Sequence, residues 1–176
     1  MAMRWLSRLV PICLFTSVVA CRTGFPLLPD ARTPADRAHE MTAKCASQSE
    51  RRAADALSPS LVEAVEPAYA YVPSGNDRAI RLRGARLHLR PDLNVSPQSL
   101  QRTLECHEAR VTLGDSPAMA DDPYVLAGAW LDIDVDSGGD GLIASVRVER
   151  IDEARQVLDH ARSFAASPSA PSAVVR

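Results

Sequence analysis

Asp132-x-Asp134-x-Asp136, followed by Ser137-Gly138-Gly139-Asp140-Gly141, is the run of this chain best suited to holding a cation. Alternate carboxylates supply the hard oxygen ligands that calcium takes, and glycine allows a ligand loop to turn sharply. The register fails for an EF-hand loop, which needs Gly at its sixth position and a bidentate Glu at its twelfth. Counted from Asp132, those positions hold Ser137 and Ile143; counted from Asp134, they hold Gly139 and Ser145. Ile133 and Val135 between the acids fit a strand with one apolar and one acidic face. The expectation is a β-hairpin with no metal site, its turn at most a weak calcium ligand through Asp136 and Asp140.

Glu105-Cys106-His107-Glu108 sets a thiol beside an imidazole. On a helix, adjacent side chains diverge by ~100°, so they cannot face each other as nucleophile and base. His107 falls on a stripe with Leu100, Leu104 and Val111, which marks it as a hydrogen-bonded core histidine; Gln101, Arg102, Glu105 and Glu108 fall elsewhere on the wheel. His39, His88 and His160 have no ligand-like spacing with it. Cys-x-x-Cys, His-Glu-x-x-His, Gly-x-Ser-x-Gly and Walker patterns do not occur. Neither a catalytic residue nor a cofactor is expected, and the chain is read as no enzyme.

From Ala79 to Arg90 the apolar period is two, with a phase slip at Gly84 where a bulge is easiest. Allowing for the slip, Arg81, Arg83, Arg86, His88 and Arg90 share the face opposite Ile80, Leu82, Leu87 and Leu89. Two readings stand. Arg81, Arg83, Arg86 and Arg90 bind an anionic partner such as lipid headgroups, phosphorylated saccharide or an acidic protein segment. Otherwise the arginines and the Asp132–Asp136 stripe form a solvated sheet face, paired across strands for a few tenths to ~1 kcal/mol each. An edge position for the arginine strand would favour the first.

The N-terminus carries an address. Arg4 and Arg8 precede an apolar stretch over residues 9–20 that ends in Val18-Val19-Ala20-Cys21. About 12 residues are too few to span a ~30 Å bilayer as a helix, so the segment reads as an export signal. Val-Val-Ala-Cys resembles the lipobox of bacterial lipoproteins. That resemblance covers only the first 20 or so residues. It implies cleavage before Cys21, a lipid on Cys21 that anchors the mature chain to a membrane, and a place in the cell envelope. Arg22 following Cys21 implies transfer to the outer membrane, facing the periplasm. The family of the remaining domain is not identified.

Without residues 1–20 the chain keeps 18 bases against 22 acids, a net charge near −4. Nucleic-acid binding, which wants a strongly basic surface, is not expected. With Cys13 in the signal and Cys21 lipidated, Cys45 and Cys106 remain as two thiols in an oxidising compartment, where disulfides persist. They are expected to pair, enclosing 60 residues; an unpaired buried pair or a soft-metal site are the alternatives.

The elements that position these residues follow from caps and periods. Residues 21–33 form a tether. Thr33-Pro34 opens a helix over 34–57, with Cys45 on its thin apolar stripe beside Ala38, Met41 and Ala56. Ser58-Pro59 opens a short second helix closed by Pro67, and Tyr69, Tyr71 and Val72 follow as an extended piece. A strand runs over 79–90, a helix over 97–110 behind Ser96, and a long surface loop over 114–128. A hairpin over 130–148 turns at 137–141, and a last helix is capped by Asp152. Residues 167–176 are expected to be disordered. One domain, 34–166, is therefore α+β: two layers, a three-stranded, mainly antiparallel sheet and a β-α-β-β-α core like a split ferredoxin-type fold, with the first strand beside the third. A non-catalytic binding or structural module, lipid-anchored, is the expected function. The rivals are a sensor of a small ligand or metal ion using the 114–128 loop, and an enzyme with a dispersed site.

Overall fold

A computed structural model describes residues 32–45, 57–74, 77–90, 95–119, 121–139 and 141–167 of the 176. The lipobox with Cys21, most of the tether, residues 46–56 of the expected first helix, Asp140 and nearly all of the C-terminal tail lie outside them. Among the described residues no helix is long and apolar enough to cross a membrane.

Helix α1 (Pro34–Thr42) starts where the sequence places it but ends at Thr42, well before residue 57, so Cys45, expected on its stripe, lies in the turn that follows. Thr33 Oγ1 accepts from the Asp36 amide at 3.2 Å, and Asp36 returns a carboxylate to the Thr33 amide at 2.9 Å. This reciprocal box satisfies two amides that a helix start leaves unpaired. The two bonds from Thr33 also hold the Asp36 carboxyl below its ordinary range. Helix α2 (Pro97–Thr112) is capped by Ser96. Helix α3 (Ile151–Ala166) begins after Arg150, so Asp152 lies in its first turn and is not its cap.

The sheet holds four strands in the order β1-β2-β4-β3, every neighbour antiparallel. They are β1 (Val62–Ser74), β2 (Asp77–Leu89), β3 (Asp132–Gly138) and β4 (Gly141–Arg147). The class is α+β as expected, and β2 lies beside β4, matching the expected adjacency of first and third strands. The strand count is corrected. Only Pro59–Leu61 form a helical turn after Ser58; Val62–Pro67, expected as helix, are the first half of β1. Pro67 does not stop the strand because β1 is at the sheet edge, where a missing amide costs no ladder bond.

Ala85, Leu87 and Leu89 of β2, Leu142, Ala144 and Val146 of β4, and Ile133 and Val135 of β3 face the helices. Ala154, Val157, Leu158 and Ala161 of α3 and Leu100 and Leu104 of α2 close the core over them. Helix α2 packs on β3, and α1 packs on α2. The other face of the sheet carries no helix among the described residues.

The slip expected at Gly84 is real. Ala68 pairs with Gly84 and Tyr69 with Leu82, so Arg83 is the extra residue of a bulge. Gly84 has φ 146°, and a Cβ there would run into the Val146 carbonyl oxygen. A side chain at this position would therefore separate the two central strands.

Candidate functional site

Beyond the bulge, β1 and β2 leave the sheet together. The β2–β4 ladder begins at Gly84, so residues 69–74 and 77–82 pair only with each other. At ~3.3 Å per residue this hairpin extends about 20 Å past the four-stranded region. Tyr69 pairs with Leu82 and Tyr71 with Ile80, and all four face the side on which the helices lie. Leu82 still packs against the core, whereas Tyr69, Tyr71 and Ile80 are 57%, 71% and 62% exposed. Ile151, also exposed, opens α3 near the root of the hairpin, where the Val148 amide donates to Arg83 O at 2.7 Å. Neighbouring exposed apolar side chains such as Tyr69, Tyr71 and Ile80 are the kind of patch that interaction surfaces use.

The arginine stripe is differently placed. Arg86 and Arg81 do lie on the open sheet face; Arg83 is the bulge residue, its guanidinium 3.5 Å from Glu149 O, and Arg90 follows the strand, its amide donating to Leu61 O. The strand is central, so Glu66 of β1 stands opposite Arg86 and 3.4 Å from His88. Strand β4 separates β2 from the aspartates of β3, and Asp132 pairs with Arg147 at 3.1 Å. Arg81, Arg83, Arg86 and Arg90 thus do not share one setting: Arg86 lies between β1 and β4, whereas Arg81, beyond the β2–β4 ladder, has a strand on one side only.

Cys45 and Cys106 form a disulfide with Cα atoms 5.8 Å apart, joining the turn after α1 to α2. The bridge leaves no Cys106 thiol for His107 to activate. His107 is buried, as its stripe implies, and donates through Nε2 to Asp122 Oδ2 at 2.6 Å. Asp122 also accepts from the Tyr124 amide at Oδ1 (3.0 Å), and its carbonyl accepts from His160 Nδ1 at 3.3 Å. One loop aspartate therefore ties α2, α3 and its own loop together. Next to His107, Glu108 is buried against expectation and accepts from the Leu131 amide at 2.6 Å, which sets the entry to β3. Burial pushes its carboxyl well above the ordinary range. Burial likewise raises the Tyr124 phenol, whose ring meets Phe164 edge-on at 6.2 Å.

Among the described residues no three His, Cys, Asp or Glu side chains are grouped to hold a metal ion. Asp132, Asp134 and Asp136 alternate along β3 in a ladder with β4. Beneath the 114–128 loop there is a cavity of about 390 Å³, lined by Asp122, His160 and mainly apolar residues.

No family model, curated protein or solved structure matches the chain. The residues that sequence reasoning missed are Tyr69, Tyr71 and Ile80 on the hairpin and Asp122 in the loop. The hairpin had a signal in the matched alternations Tyr69/Tyr71 and Ile80/Leu82. Asp122 had none.

Proposed function

We propose that this chain is a lipid-anchored bacterial envelope protein with a non-catalytic domain that grips a protein partner by the tyrosine face of the β1–β2 hairpin. The observation that carries the reading is the exposure of Tyr69, Tyr71 and Ile80 together on an arm that reaches past the core. Tyrosine offers a rigid, amphipathic contact with few rotatable bonds, and it is enriched where interfaces concentrate their energy. Strand addition is disfavoured on the outer edge of β1, which Pro67 and Pro73 interrupt, and on β3, whose edge carries Asp132, Asp134 and Asp136. The edge of β2 over residues 77–82 stays open, and we assign recognition to the exposed tyrosines and Ile80 with that edge beside them. A net charge near −4 without the signal argues against adhesion to an anionic membrane surface. The anchor rests on Val18-Val19-Ala20-Cys21, and its proposed site is the outer membrane facing the periplasm.

Intact mass and membrane fractionation of the native protein beside Cys21→Ala test the anchored half of this reading. The expected result is an acylated chain beginning at Cys21, with both the acyl mass and membrane association lost in the variant. An unlipidated, soluble native species contradicts it.

A further inference from the structure

The loop between α2 and β3 roofs the 390 Å³ cavity, with Val111 of α2 and Met119, Val125 and Leu126 of the loop among its apolar walls. Small-molecule sites typically occupy ~300–1,000 Å³, are largely apolar and carry few polar groups. Three polar side chains line this one, Thr112 from the end of α2, Asp122 from the loop and His160 from α3.

The hydrogen bonds decide what polar group a guest must bring. A carbonyl oxygen can only accept, so the contact between His160 Nδ1 and Asp122 O puts a ring proton on Nδ1. In the neutral ring Nε2 is then an acceptor, and it has no partner among the described residues. The Asp122 carboxylate is an acceptor as well. The Thr112 hydroxyl can donate or accept, so it imposes no choice, and a guest that satisfies His160 and Asp122 must donate. The carboxylate is already bonded to His107 and to the Tyr124 amide, so little remains to offset the desolvation of an ammonium group. A neutral hydroxyl meets the demand at lower cost.

We propose that this cavity binds a small, mostly apolar hydroxyl compound, a phenol or alcohol, whose hydroxyl donates to His160 Nε2. Scaling from the ~150 Å³ void that holds benzene gives a guest on the order of ten to fifteen non-hydrogen atoms. This site is separate from the hairpin, and neither proposal depends on the other.

Naphthol and naphthalene differ by the hydroxyl alone and fall at the lower end of this size range. Amide NMR titrations of the full chain with each compound localise binding by residue. Saturable shifts over residues 118–129 and around His160 are expected, with naphthol bound about fivefold more tightly, the scale of one hydrogen bond. His160→Phe should keep naphthalene binding and reduce the preference to within about twofold. His160→Gln, which retains an acceptor, should preserve it. Absence of saturable shifts at these residues overturns the site. Equal affinities in the parent, or a preference that survives His160→Phe, overturn the hydroxyl assignment.

Discussion

Glu108 carries a carboxyl group into packed space between α2 and the start of β3, where one oxygen accepts the Leu131 amide and the other has no hydrogen-bond partner among the described residues. In the unfolded chain it titrates near the ordinary value of ~4.3. Burial raises the folded value well above that, so between the two the folded state holds the extra proton. Its effect on stability is most favourable below the unfolded value and is lost as pH rises toward and through the raised folded value. Glu108→Gln keeps the acceptor for Leu131 and never ionises. In urea unfolding, the variant's stability relative to the parent should rise from pH 4 to pH 8; a constant difference contradicts the assignment. A single-face helical wheel puts Glu108 on the polar side, and that wheel fails because α2 is covered twice, by β3 and by α1. His107 was legible as a core histidine from its stripe. Its partner Asp122 was not, because it lies 15 residues away in a loop with no period.

At the scale of elements, the caps and the two-residue alternations were read correctly for α1's start, α2 and the β3–β4 hairpin. They misled at Ser58-Pro59, where the serine–proline pair opens only one helical turn and Ser58 makes no capping bond. Pro67 then reads as a helix stop, although an edge strand accommodates it equally well, and edge position is a tertiary fact. Gly84 is the position where the strand geometry is most exacting. Gly84→Ala should cost about 3 kcal/mol or more, from strain at φ 146° plus displacement of Val146, and should lower the melting temperature accordingly. A neutral result would mean that the bulge relaxes freely. The disulfide acts between elements, closing a loop whose cross-link stabilises by about 4 kcal/mol in the chain-entropy model. Cys45→Ser and Cys106→Ser should lose similar stability in denaturant unfolding, and the double variant little more than either. Additive losses would mean that the two cysteines contribute independently.

Across the whole molecule, the helices cover one face of the sheet while the β1–β2 hairpin runs on past the packed body. The two-layer class followed from the order of amphipathic segments. The reach of the hairpin did not, because it depends on how far β4 accompanies β2, and β4 ends at Arg147 opposite Gly84. Tyr71 and Ile80 are exposed, so the double change Tyr71→Ser with Ile80→Ser should leave the melting temperature within about 2 °C while removing partner binding. A larger loss of stability would instead assign these side chains to the core. The most direct test of the binding account is site-specific photocrosslinking in intact cells, with the probe at position 71 on the hairpin and, separately, at position 134 on the open sheet face. One discrete protein adduct is expected from position 71, abolished by Ile80→Ser, and none from position 134. An adduct from position 134 alone, or lipid adducts in place of protein at position 71, would contradict it.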